Sequence, residues 1–126
     1  MELRYKNICL AGIILFGLIC GILSAVPPMT LYPSVGTSME PTIIEGDYVA
    51  VAPLGIEQMA IGDIIVYRSP LQDETGDFPL IVHRIVDMQH GIVRTKGDNR
   101  TAIDPFDISP ERVQGKVMFI VPRRAE

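Results

Sequence analysis

Four side chains in this sequence have the types and order that hydrolytic chemistry needs: a hydroxyl at Ser38, an imidazole at His83, and carboxylates at Asp98 and Asp104. A serine hydroxyl is nearly inert at neutral pH unless a base takes its proton as it attacks. Ser38 lies in Gly36-Thr37-Ser38-Met39-Glu40-Pro41-Thr42, and a Gly-Thr-Ser run taken alone reads as an ordinary solvated turn. Imidazole is the side chain that titrates near neutrality, which suits it to the base. His83 falls in the apolar run Leu80 to Val86, where alternation puts Ile81, His83 and Ile85 on one face. Taken alone it reads first as a half-buried strand histidine with a satisfied hydrogen bond. His90 falls in Asp87-Met88-Gln89-His90-Gly91, which reads as a hairpin connection ending in glycine and leaves that imidazole in solvent. A carboxylate that orients the imidazole completes such a set. Asp98, in Lys96-Gly97-Asp98-Asn99, and Asp104, in Ala102-Ile103-Asp104-Pro105, are both candidates, and both also read as Asx turns.

The elements that must position these groups are mostly strands. Short apolar runs rich in Val and Ile cover Tyr48 to Ala52, Asp63 to Tyr67, Leu80 to Val86, Ile92 to Thr95 and Val113 to Val121, separated by Gly, Pro and Asp. They predict a mainly β chain, a small antiparallel β-sheet or coiled half-barrel, with a turn of helix at Ile56 to Ala60 and a polar loop over Pro70 to Pro79. A length of 126 residues suits one such domain.

Ahead of the strands, Ile8 to Val26 is an uncharged run of nineteen residues. As a helix it would cover roughly 28 Å, close to the hydrocarbon thickness of about 30 Å. Pro27-Pro28 ends it. Arg4 and Lys6 precede it, and the first charge after it is Glu40, so the positive-inside rule predicts a cytoplasmic N-terminus over 1–7, a transmembrane helix over 8–26 and an extracytoplasmic domain over 27–126. A cleaved secretory leader shares the basic start and apolar centre, but this run is longer than the usual apolar region, and Leu23 stands where a small residue is wanted before a cut after Ala25. Cys9 and Cys20 both fall in the span, roughly 16 Å apart along a helix, too far to bridge. The domain over 27–126 carries 9 basic residues against 14 acidic ones, with no basic cluster beyond Arg123-Arg124, which argues against a nucleic-acid partner.

In order along the chain, Gly36 to Thr42, Gly46-Asp47, Gly62-Asp63-Ile64-Ile65-Val66-Tyr67, Val82-His83-Arg84-Ile85 and Lys96-Gly97-Asp98-Asn99 resemble the conserved blocks of type I signal peptidases. A histidine before the arginine, where bacterial relatives have lysine, resembles the archaeal and endoplasmic-reticulum branch. The resemblance implies a membrane serine endopeptidase that cleaves signal peptides from preproteins without metal or cofactor. It implies Ser38 as nucleophile and His83 as base. It favours Asp104 as the third catalytic member, six positions after the Gly-Asp-Asn aspartate, with Asp98 supporting the site through turn hydrogen bonds. The backbone N–H of Ser38 is the natural oxyanion donor. Many bacterial relatives add a serine hydroxyl two residues earlier, where this chain has Gly36, which leaves the second donor open among Thr37, Ser34 and another backbone amide.

The implied partners are signal peptides and membrane lipid, with a translocon or other subunits as further candidates. The implied location is the cell membrane, or the endoplasmic-reticulum membrane in a eukaryote. An extended substrate would add to the sheet beside Leu80 to Val82 and the segment before Ser38, with room for small side chains only. Two other readings use the same residues: a Ser-Lys self-cleaving enzyme with Lys96 as base, and a non-catalytic membrane-anchored β module or complex subunit.

Overall fold

The computed structural model describes residues 2–25 and 27–123. Val26, the last residue of the expected span, and the end of the expected domain at 124–126 lie outside them. The first element, α1 (Glu2–Ala25), starts earlier than the uncharged run, because a helix continues through Arg4 and Lys6 without difficulty. Its stretch Lys6–Ser24 is long and apolar enough to cross a membrane, and none of it is buried against the rest of the protein. An apolar helix with no protein cover needs another apolar surrounding, which a bilayer supplies.

Six strands follow: β1 (Thr30–Pro33), β2 (Tyr48–Ala52), β3 (Ile64–Arg68), β4 (Leu80–Gln89), β5 (Ile92–Lys96) and β6 (Val113–Val121). They form one sheet in the order β1-β2-β6-β3-β4-β5, with every neighbouring pair antiparallel. The expected mainly antiparallel β architecture is therefore the observed one, with a 3-10 turn at Ile56–Gln58 where a turn of helix was expected.

Two strands differ from the expectation. β1 has no counterpart in the sequence reading, being short and ending in a proline. It pairs only with β2, and at an edge the missing proline N–H breaks no ladder. β4 runs on to Gln89, so the connection expected at Asp87 to Gly91 shrinks to a turn at His90 and Gly91. A bulge between Ile85 and Asp87 resets the register, after which Asp87 pairs with Arg94 and Met88 with Val93.

Two apolar clusters hold the sheet. One gathers Ile56, Met59, Ile65, Tyr67, Ile85, Val93 and Ile108, and the other Met39, Ile43, Val49, Val51 and Val66. Val66 lies between Ile65 and Tyr67 on β3, so alternation puts the clusters on opposite faces. The second cluster draws in the loop between β1 and β2, because Met39 and Ile43 are buried there. Burying Met39 fixes the residue beside it, Ser38.

Candidate active site

The loop that carries Ser38 is closed at its neck by backbone bonds from Ser34 N–H to the Asp47 carbonyl (2.7 Å) and from Gly46 N–H to the Ser34 carbonyl (3.0 Å). Gly36 enters it at φ +84°, the left-handed region that glycine adopts without a Cβ penalty. Within it Ile43 N–H donates to the Met39 carbonyl at 3.0 Å, and Met39 is 3% exposed. Ser38 is thus tethered to a buried neighbour while its own side chain stays half-buried at the surface of a cleft.

His83 stands on β4 opposite Ile65 of β3 and is 7% exposed. Its Nε2 lies 3.1 Å from Ser38 Oγ, although the residues are 45 positions apart, and its Nδ1 lies 2.6 Å from Asp104 Oδ2. An ionised carboxylate only accepts hydrogen bonds, so in the neutral ring the Nδ1–H is held by Asp104 and the Nε2 lone pair faces the serine hydroxyl. That tautomer is the one a general base needs.

Asp104 lies in the segment after β5, fixed by its backbone N–H donating to the Thr95 carbonyl at 2.9 Å. Its Oδ2 also accepts the Thr95 hydroxyl at 2.6 Å and the Tyr67 hydroxyl at 3.2 Å. Tyr67 and Thr95 are 0% exposed, and burial pushes the Tyr67 phenol well above its ordinary value, so it remains a donor through the neutral range.

Asp98 sits apart from the Ser38–His83–Asp104 line and is engaged by side chains rather than by turn bonds. Arg84, next to His83 on β4, donates Nε to Oδ1 at 2.9 Å and Nη2 to Oδ2 at 2.7 Å, and the Thr42 hydroxyl donates to Oδ2 at 2.6 Å. The Arg84 hydrogen bonds hold the Asp98 carboxyl below its ordinary range against the opposing effect of burial, and Asp98 in turn raises the Arg84 guanidinium. The same segment reaches the nucleophile loop through Asn99, whose backbone N–H donates to the Ser38 carbonyl (2.9 Å) and whose Nδ2 donates to the Thr37 carbonyl (3.0 Å). Asp98 and Asn99 therefore clamp the 37–42 loop to β4.

Gly97 makes that clamp possible. A Cβ there would lie 2.6 Å from the Ser38 carbonyl oxygen, closer than a methyl group can sit, and 3.1 Å from His83 Nε2, a tight contact. The Lys96 ammonium donates to the Gly97 carbonyl at 3.1 Å, and His90 is exposed at its turn. The sequence pointed to Ser38, His83, Asp98 and Asp104, held Thr42, Tyr67 and Gly97 only as members of the resembling runs with no role attached, and gave no signal for Thr95. A buried Tyr or Thr in a strand looks like core until its neighbours are known.

The cleft beside Ser38 has a volume of about 450 Å³ and runs between Tyr32 to Gly36 on one side and Leu80 to His83 on the other, with Met39 and Val66 at its base and Arg100 at its rim. These are the segments expected to flank an extended substrate, and Met39 is both core and wall. Among the described residues no group of three or more His, Cys, Asp or Glu side chains could hold a metal ion. A hydroxyl facing an imidazole that is oriented by a carboxylate, opening on an apolar cleft, is equipped for acyl transfer.

Over 92 residues the chain is 32% identical to signal peptidase I W of Bacillus subtilis strain 168, a match that covers 69% of this chain and 45% of that protein. The chain thus spans about half the length of this curated relative. No protein-family model matches the chain, and no solved structure does. The likeness supports a relationship to the signal peptidases.

Proposed function

We propose that this protein is a membrane-anchored serine endopeptidase that removes N-terminal signal peptides from exported preproteins, by a Ser-His-Asp mechanism of the archaeal and endoplasmic-reticulum kind. The observation that carries the reading is the continuous line from Ser38 Oγ through His83 to Asp104, at 3.1 and 2.6 Å, on the wall of a peptide-sized cleft. The partial likeness to signal peptidase I W supports the choice of substrate.

In this reading Ser38 Oγ attacks the scissile carbonyl carbon while its proton passes to His83 Nε2. Asp104 stabilises the imidazolium that forms, and the Ser38 backbone N–H meets the oxyanion of the tetrahedral intermediate. Collapse breaks the peptide bond, the amine of the mature chain leaves with the proton from Nε2, and the signal peptide remains as an ester on Oγ. Water, deprotonated by the same nitrogen, hydrolyses that ester and restores the serine. The peptide lies extended between Tyr32 to Gly36 and Leu80 to Val82, where Ile81, Val82 and Val66 admit small side chains such as alanine at the first and third positions before the cut. Asp98 works through Arg84 and Thr42, holding the nucleophile loop against the strand that bears the base.

The basic N-terminus is assigned to the cytoplasm, 8–26 to the bilayer and 27–126 to the outer side, so cleavage happens where a signal peptide emerges from the membrane. Leu31 (59% exposed) and Phe119 (60% exposed) support a lipid-facing flank, since β1 begins five positions after α1 ends. A translocon or other subunits remain partners in this reading through their delivery of substrate.

The test is cleavage of a preprotein by the purified full chain in detergent, with product mass as the readout. Wild type should release the signal peptide, whereas Ser38→Ala and His83→Ala, equally folded, should release none. Cleavage by Ser38→Ala would sink the mechanism. Absence of both cleavage and labelling by a serine-directed acylating probe in wild type would favour a non-catalytic β module instead.

A further inference from the structure

We propose that Thr95 and Tyr67 are positioning residues that form a buried hydroxyl relay onto Asp104 and thereby set the orientation of the base. The inference deepens the peptidase reading and rests on its Ser38–His83–Asp104 assignment. Hydrogen accounting carries it. Asp104 Oδ2 takes the His83 Nδ1–H and the Thr95 hydroxyl, both at 2.6 Å, while the Tyr67 hydroxyl is 3.0 Å from Thr95 Oγ1 and 3.2 Å from Asp104 Oδ2. Each hydroxyl has one hydrogen. Thr95 gives its own to the carboxylate, so its oxygen is left as an acceptor and Tyr67 supplies the hydrogen that lies between Thr95 and Asp104. The chain of donors runs Tyr67 to Thr95 to Asp104, and the imidazole is the remaining donor on the same oxygen.

Placement makes this more than satisfaction of buried polar groups. Tyr67 is on β3 and Thr95 on β5, the two strands that flank the strand bearing His83. Thr95 also accepts the Asp104 backbone N–H, so it holds that residue at both main chain and side chain. At 0% exposure neither hydroxyl exchanges its partner for water. The aspartate is therefore gripped from both neighbouring strands, with its accepting oxygen aimed at Nδ1 and Nε2 left facing Ser38. The titratable and charged groups that face this pair are Tyr67 from β3, His83 from β4 and Arg100 at the cleft rim. Arg84 is occupied by Asp98.

Neutral hydroxyl donors also share the carboxylate charge. With one removed, more of that charge is left to stabilise the imidazolium, so the base stays protonated to higher pH. A purely structural role predicts lower stability without that shift.

The experiment uses the full chain in detergent, as wild type, Thr95→Val, Tyr67→Phe and Thr95→Ser, with Ser38→Ala as control. Two readouts are taken: the pH profile of kcat and KM on a preprotein, and the low-field Nδ1–H resonance of His83 in 15N-histidine-labelled protein. Thr95→Val should lower kcat by roughly ten- to a hundredfold with KM little changed, the scale expected for loss of a charge-assisted hydrogen bond. Its acid limb should move to higher pH, its Nδ1–H resonance should shift, and Thr95→Ser should restore all three. Tyr67→Phe should show the same changes in smaller measure, and it carries the test alone if Thr95→Val does not fold. Wild-type kcat, acid limb and resonance in both hydroxyl deletions, while cleavage still depends on Ser38, overturn the relay. If wild type fails to cleave, the peptidase reading fails separately. The resonance then decides: a shift in Thr95→Val upholds the relay and an unshifted one overturns it.

Discussion

Replacing Gly97 with alanine is the sharpest perturbation of the proposed site, because it adds one methyl group and removes nothing. The new Cβ would stand 2.6 Å from the Ser38 carbonyl oxygen and 3.1 Å from His83 Nε2. Ordinary contact begins near 3.4 Å, so the backbone at Ser38 must retreat by about 0.8 Å or the 97–99 segment must lift by as much. Neither moves freely: Asn99 ties the segment to Ser38 and Thr37, and Asp98 ties it to Arg84 and Thr42. A retreat of that size takes Oγ from 3.1 Å to beyond hydrogen-bond reach of Nε2. Misplacement on the order of 1 Å costs roughly 10²-fold in rate, whereas overpacking costs about 1–3 kcal/mol in stability. Gly97→Ala should therefore stay folded with a modestly lower Tm while kcat/KM on a preprotein and the rate of labelling by a serine-directed probe both fall about a hundredfold. A folded Gly97→Ala protein with wild-type labelling and cleavage would refute the steric reasoning.

Asp104→Asn should lower kcat by roughly 10³- to 10⁴-fold at neutral pH, since an amide can offer a hydrogen to Nδ1 and fix the wrong tautomer, and should lower Tm as well, since an NH2 in place of Oδ2 cannot accept from Thr95 and Tyr67. Burst kinetics would place the loss in acylation. For Asp98, Arg84 holds the folded carboxyl below its unfolded value, so the link stabilises the fold fully above the ordinary carboxylate range and is lost as pH falls through the lower, folded value. Thermal melts of Asp98→Asn should accordingly lie below wild type at pH 7, by about 1–2 kcal/mol for a partly exposed bidentate pair, and converge with it in acid. A constant offset between the two curves at every pH would rule this out. Val82→Ala should widen the cleft and let a preprotein with valine in place of alanine at the third position before the cut be processed at a rate closer to that of the parent substrate. An unchanged ratio of the two rates would place the discriminating wall elsewhere.

Much of the architecture was legible in the amino-acid order because it follows from local pattern. The uncharged run of Ile8 to Val26 specifies a helix with an apolar surrounding, and Val and Ile runs bounded by Gly, Pro and Asp specify antiparallel strands. The misses share a cause. β1 is defined by what it pairs with rather than by its own four residues, and the end of β4 is defined by pairing with β5 that continues past a bulge between Ile85 and Asp87. The residue types of the proposed site were legible too, with Ser38 and His83 singled out by the family resemblance before any geometry.

Which carboxylate faces the imidazole was another matter: Asp98 and Asp104 both sit in Asx-prone turns, the residues alone left either open, and only the family resemblance favoured Asp104. The contact itself belongs to the packed chain, in which Asp104 Oδ2 lies 2.6 Å from His83 Nδ1. Arg84 and Thr42 occupy Asp98, while Thr95 of the preceding strand and Tyr67, 37 residues away, hold Asp104 against Nδ1. Local order fixes what a segment is able to be, through backbone preference and alternation. The angle and distance between groups 45 residues apart are set by side chains that meet only once the sheet has closed its register, and no pattern within one segment encodes them.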